Sequence, residues 1–241
     1  MITNTNNLLP VSIKNLNYVR GGKSLLNKIY CEIKTKGITI ILGPNGAGKT
    51  LLLKCMHGLI NFNTPRIFYA KKSLNKKIRM QQSMVFQNPI LLKRSVKSNI
   101  LFVLKQRKIK LKEDFILKTL QKLDLLGLVN EKAIFLSGGE KQRLSMARAI
   151  ITEPKILFLD EATSNLDPYS IQIIEKMITE VRNKGTKVIA VTHDLAQAKR
   201  LADDIIFISK GKVSEYTLAK SFFKKPKSKD GKLYISGKLI I

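Results

Sequence analysis

Short runs of uninterrupted apolar residues, each closed by glycine or a polar side chain, alternate along this chain with longer stretches of helical spacing. Gly37-Ile38-Thr39-Ile40-Ile41-Leu42 is brief and β-branched, so it predicts a strand that feeds a glycine-rich turn. Residues 50–59 then carry apolar side chains at helical spacing, with Gly58 as the stop signal. Ile156-Leu157-Phe158-Leu159 and Lys187-Val188-Ile189-Ala190-Val191 are continuous apolar runs, the form taken by strands buried on both faces of a parallel sheet. Between about residues 90 and 136 the pattern turns helical: Phe115, Leu117, Leu120, Leu123 and Leu126 predict one apolar face. Past Gly211 the chain becomes more basic, with residues 224–229 reading as an exposed loop and Leu233-Tyr234-Ile235 as a short strand. The order of elements is that of an α/β domain. In such sheets ligands lie beyond the carboxyl ends of the strands, where Asp160, Glu161, His193 and the glycine-rich turn all fall.

With 241 residues there is enough sequence for one large domain and too little for two full cores. The net charge of +27, from 44 Lys and Arg against 17 Asp and Glu, admits a phosphate-rich partner. Its basic residues are nevertheless scattered, as in Lys71, Lys72, Lys76 and Lys77, so a solvated basic surface is the simpler reading and nucleic acid is disfavoured. Two cysteines, Cys31 and Cys55, are too few for a disulfide framework and suit a reducing compartment. Residues 1–10 are polar, without the basic-then-apolar pattern of a secretory leader, and no stretch approaches the ~18 apolar residues of a membrane span. Any membrane role is expected to be borrowed from a partner.

Residues 43–50, Gly43-Pro44-Asn45-Gly46-Ala47-Gly48-Lys49-Thr50, fit the pattern G-x-x-x-x-G-K-[ST] between a predicted strand and a predicted helix. In that setting backbone N–H groups wrap the phosphates of ATP, Lys49 supplies a point charge and the Thr50 hydroxyl is placed for Mg²⁺. The apolar strand ending in Asp160-Glu161 offers one carboxylate for the Mg²⁺ shell and a second, Glu161, as the base that orients attacking water. Taken alone, that pair could equally cap the following helix. Ser137-Gly138-Gly139, ahead of a long helical run, forms a second candidate anion-binding helix start, or an ordinary serine cap.

Together, in this order, these motifs resemble the ABC-type ATPases over roughly residues 11–215. The resemblance implies a P-loop NTPase fold: a RecA-like mixed-sheet core, an antiparallel β subdomain, and a helical subdomain at about residues 90–150. A short basic extension, residues 216–241, would follow. Leu136-Ser137-Gly138-Gly139-Glu140 resembles the LSGGQ signature, which in that family binds the γ-phosphate of ATP held by a partner subunit. The resemblance further implies adenine stacking by Tyr18 and a Q-loop role for Gln87, linking Mg²⁺, water and the transporter interface. It makes Ser164-Asn165-Leu166-Asp167 the D-loop and His193 the switch histidine. The catalytic set is then Glu161, His193 and Gln87, and the metal set Thr50, Gln87 and Asp160. Three positions depart from the pattern: Glu140 replaces Gln, Leu51 stands where a second Ser or Thr is common in the nucleotide-binding set, and Asn165 replaces a frequent Ala.

The resemblance implies an ATPase subunit acting as a pair, with a second copy as partner. It would work with membrane permease subunits and an extracytoplasmic substrate-binding protein at the cytoplasmic face of the membrane. Import is favoured, because Glu131 to Phe135 does not resemble the stretch seen there in exporters. The segment Ser95 to Ile100 and the tail from Phe222 to Leu239 look like those of tungstate- and molybdate-type oxyanion importers. A motor for an amino acid or for export, and a non-transport protein bound to nucleic acid or ribosomes, stay open as alternatives.

Overall fold

The structure is a computed structural model that describes residues 7–62, 64 and 66–238. Residues 1–6 of the polar N-terminal stretch and Leu239 of the tail lie outside these described residues. In chain order the elements begin with β1 (Val11–Arg20), β2 (Lys23–Ile33), β3 (Ile38–Leu42), α1 (Lys49–His57), β4 (Ile67–Tyr69), β5 (Lys72–Ser73), α2 (Lys76–Arg79) and β6 (Gln82–Val85). Then come α3 (Val96–Arg107), α4 (Glu113–Lys122), a 3-10 turn at Leu126–Leu128 and α5 (Gly138–Ile150). The chain closes with β7 (Ile156–Asp160), α6 (Pro168–Asn183), β8 (Lys187–Val191), α7 (Leu195–Leu201), β9 (Asp204–Ser209), β10 (Lys212–Leu218), α8 (Ala219–Lys224) and α9 (Lys229–Ile235).

Two sheets result. The central one has the order β10-β9-β3-β8-β7-β6, parallel throughout except for β10, which runs antiparallel to β9. The smaller sheet, β2-β1-β4-β5, is antiparallel. Every residue of β3 and β7 is buried, which explains their unbroken apolar sequences. Period-two alternation distributes these side chains to two cores. Ile40, Leu157, Leu159, Val188 and Phe207 face the helical core formed by α3 to α9, while Ile41, Phe158, Ile189 and Ile206 pack with α1 and the small sheet.

Two sequence expectations are corrected. Leu233-Tyr234-Ile235 is the last turn of α9, because the Ser228 side chain caps that helix by accepting from the Gly231 N–H. The buried face of the segment around α4 is Ile116, Leu120, Leu123 and Leu125, whereas Phe115 and Leu126 are exposed. Ile116, Leu120 and Leu123 follow i, i+4, i+7 spacing, so they share one stripe that Phe115 does not; Leu126 lies past the helix end, in the 3-10 turn. The boundary after residue 215 falls inside β10, and Phe222, Tyr234 and Ile235 pack into the helical core.

Candidate active site

The carboxyl ends of β3, β7 and β8 assemble the site. Beyond β3, Gly43 has φ +152, and a Cβ there would come within 2.0 Å of the Ile208 carbonyl oxygen, so only glycine lets the loop start this close to β9. Gly48, at φ +99, turns the loop into α1. Between them the Ala47 N–H donates to the Pro44 carbonyl. Lys49 folds back into the loop: its Nζ donates to the carbonyls of Gly43 at 2.8 Å and Pro44 at 3.0 Å. Burial lowers its pKa, while Glu161 and Asp160 oppose that shift. An ammonium held by two backbone carbonyls is poised to be transferred to a stronger anionic acceptor such as phosphate.

Thr50, one residue on, donates from Oγ1 to Asp160 Oδ1 at 2.7 Å. Asp160 is buried at the end of β7, and desolvation holds its carboxyl above the usual range against the opposing Thr50 hydrogen bond and the charges of Lys54 and Lys49. Glu161 leaves the strand with φ +46, a left-handed conformation that turns its side chain out of the sheet register. Its Oε2 accepts from Gln87 Nε2 at 3.1 Å and lies 3.3 Å from His193 Nδ1. Its backbone is fixed as well: the N–H donates to Val191, and the Ser164 N–H and hydroxyl donate to its carbonyl. Gln87, beyond β6, and His193, beyond β8, thus converge on the one carboxylate that follows β7.

The structure therefore brings residues 43–50, Gln87, Asp160, Glu161 and His193 together. Tyr18 stands on β1, half-buried against the core cluster that also holds Ala47, and Leu51 packs into the same cluster from α1. Ser137 and Gly138 are exposed at the start of α5, beside α6. The two glycines there differ: nothing lies within 4 Å of a Cβ on Gly138, whereas one on Gly139 would meet Ser170 Oγ at 2.3 Å and Asp167 Oδ2 at 2.9 Å. Glu140 closes a capping box, its carboxylate accepting the Ser137 N–H at 2.7 Å while Ser137 Oγ accepts the Glu140 N–H at 3.3 Å. Asn165 adopts φ +58, and Asp167 caps α6 through the Ser170 N–H.

Sequence reasoning overlooked two supporting residues on α5. Gln142 Nε2 donates to the Phe86 carbonyl at 3.0 Å, immediately before Gln87, and Arg143 donates to Ser170 Oγ at 2.6 Å. Both are buried polar side chains among Leu144, Met146 and Ala147, and polar residues inside an otherwise apolar helix face are the signal that could have found them.

Comparison with known proteins agrees with this geometry. The family model described as ABC transporter matches residues 26–164. The phosphate import ATP-binding protein PstB of Malacoplasma penetrans is 36% identical, over 97% of this chain and 87% of that protein. The tungstate uptake system ATP-binding protein TupC of Peptoclostridium acidaminophilum is also 36% identical, over 86% of this chain and 98% of its own length. Among solved structures, cbiO1 of Clostridium perfringens, part of the ABC transporter complex cbiONQ, superposes with a TM-score of 0.76 at 29% identity, covering 89% of this chain and 90% of that one. An ATP-bound bacterial Atm1-family exporter shares the fold with a TM-score of 0.82 at 20% identity, covering 98% of this chain and 43% of its own. A phosphate loop backed by paired carboxylates, in a chain that these relatives match nearly end to end, belongs to the ATP-binding family of ABC transporters, whose members are ATPases that power transport.

Proposed function

We propose that this chain is one of a pair of ATP-hydrolysing subunits that drive a membrane permease importing a tetrahedral oxyanion. Relatives named for phosphate and for tungstate import support that substrate class, phosphate being the more frequent name. The observation that carries the motor reading is the Glu161 carboxylate held by Gln87 and His193 beside Lys49 and Thr50. In this reading the N–H groups of residues 43–50 and the Lys49 ammonium bind the phosphates, and Tyr18 lies against the adenine. Glu161 accepts the proton of the attacking water, and His193 and Gln87 fix its position.

Thr50 and Asp160 present a hydroxyl and a carboxylate already 2.7 Å apart, hard oxygen donors of the kind Mg²⁺ selects, with the Gln87 amide close to Glu161. Bound there, Mg²⁺ would neutralise charge on the β- and γ-phosphates. Ser137 and Gly138 are exposed and, with the half-buried Gly139, would cap the nucleotide of a second copy. Among the described residues no helix is long and apolar enough to cross a membrane. Instead, Ile90 and Phe135 are 74% and 70% exposed, on two segments joined by the Ala133 N–H to Arg94 carbonyl bond. Exposed apolar residues downstream of Gln87 suit a permease contact at the cytoplasmic face.

Isolation of this chain as Glu161→Gln, with ATP, from detergent-solubilised cells tests the proposal. Recovery of a permease together with a phosphate- or tungstate-binding protein is expected. Recovery with ribosomes, RNA or an organic-solute permease would overturn the substrate reading or the transport reading itself.

A further inference from the structure

Glu161 and His193 meet through their side chains, but each stands on a segment of its own. His193 is 58% exposed, between β8 and α7, so packing does little to fix it. Its neighbours tie it to α7 instead. The Asp194 N–H donates to Thr192 Oγ1 at 3.1 Å, and the Asp194 carboxylate accepts from the N–H groups of Ala196 and Gln197 at 2.8 and 3.0 Å. On the other side, Glu161 opens a turn that the Ser164 N–H and hydroxyl close on its carbonyl, with Thr163 inside that turn. A helix of seven residues such as α7 owes its placement to tertiary contacts.

Gln197 supplies a contact that reaches the Glu161 turn. Buried on α7, four residues after His193, it donates from Nε2 to Thr163 Oγ1 at 2.8 Å and to Glu175 Oε1 on α6 at 3.1 Å. Arg200 of α7 pairs with the same Glu175 carboxylate at 2.7 Å, holding the helix against α6. The two segments are thus joined twice: by His193 Nδ1 and Glu161 Oε2, 3.3 Å apart, and behind them by Gln197 and Thr163. We propose that Gln197 is a positioning residue for ATP hydrolysis, its amide holding the segment of His193 in register with the turn of Glu161 so that imidazole and carboxylate meet. A shift of about 1 Å in such a pair is enough to slow chemistry without touching nucleotide binding. The inference rests on the reading of Glu161 as the base and of His193 as a residue that fixes it.

Gln197→Met keeps the length of the side chain and deletes the donor, while Arg200 stays on Glu175. Thr163→Val keeps the shape of its side chain and deletes the acceptor, leaving α7 untouched, so it carries the test alone if Gln197→Met folds poorly. In the full-length chain each is expected to lower kcat for ATP roughly tenfold, with the Kd for Mg-ATP within about twofold. The double variant should fall no further than either single one, because both break the same bond, and Thr163→Ser, which keeps the hydroxyl, should hold kcat within about twofold. Unchanged kcat in Thr163→Val, whatever happens to Tm, would overturn the proposal, as would a hundredfold fall in the double variant or an equal loss in Thr163→Ser. Glu161→Gln separates the two readings: if it turns over like the wild type, the reading of Glu161 as base fails; if it is inactive while Gln197→Met and Thr163→Val are not impaired, only the role of Gln197 fails.

Discussion

The Thr50 hydroxyl donates to Asp160 Oδ1 across 2.7 Å, joining the start of α1 to the end of β7. This bond favours the ionised form of a carboxyl that burial otherwise pushes up. Thr50→Val preserves the shape and removes the donor, so the Asp160 pKa rises further. The Mg²⁺ concentration for half-maximal ATPase activity should increase roughly tenfold, and the acidic limb of the rate profile should move to higher pH. Mg²⁺ titrations at two pH values check both.

Glu161→Gln retains the size of the side chain and an oxygen for Gln87, and removes the carboxylate proposed as the base. kcat should fall by roughly 10² to 10⁴ while ATP affinity stays within about twofold. The variant should elute as a dimer in size-exclusion chromatography with ATP and as a monomer without it. Turnover at the wild-type rate would remove Glu161 from its role.

Gly138 and Gly139 should respond differently to alanine. Gly139→Ala drives a methyl into Ser170 and Asp167, disturbing the cap of α6, and is expected to cost about 1–3 kcal/mol in urea unfolding. Gly138→Ala meets nothing within the chain and should leave stability within about 0.5 kcal/mol. Ser137→Arg should likewise leave one-chain ATP binding intact, and light scattering should show ATP-dependent pairing abolished.

His57, at the end of α1, has its pKa lowered to about 4 by burial and by the nearby Arg79 and Arg107 charges. Folded, it binds fewer protons than the unfolded chain between the ordinary histidine value of 6.5 and about 4. Stability therefore falls as pH drops through that window, by up to about 3 kcal/mol, and is unaffected by this group above it. His57→Gln should flatten the dependence of Tm on pH between 4 and 6.5.

The parts of the site legible in the sequence are those with short-range signatures. Residues 43–50 announce their own geometry because glycine spacing and the adjoining strand are local, and the apolar runs of β3, β7 and β8 are continuous because both faces are buried. What escaped depends on partners far along the chain. Glu215 makes sense only once β10 stands beside residues 227 and 228, and Tyr234 only once α9 is seen to cross Phe207. The three apolar residues 233–235 are too few to distinguish a strand from a helical turn by periodicity, and the deciding feature, the Ser228 cap, lies five residues upstream.

Ser137 is the exposed N-cap of α5, and Gln142, little more than one turn later, grips the peptide just ahead of Gln87. One short helix thus links its exposed tip to the peptide beside the amide that steadies Glu161. In the pair proposed above, this short path would let the nucleotide held by one chain bear on the timing of the other.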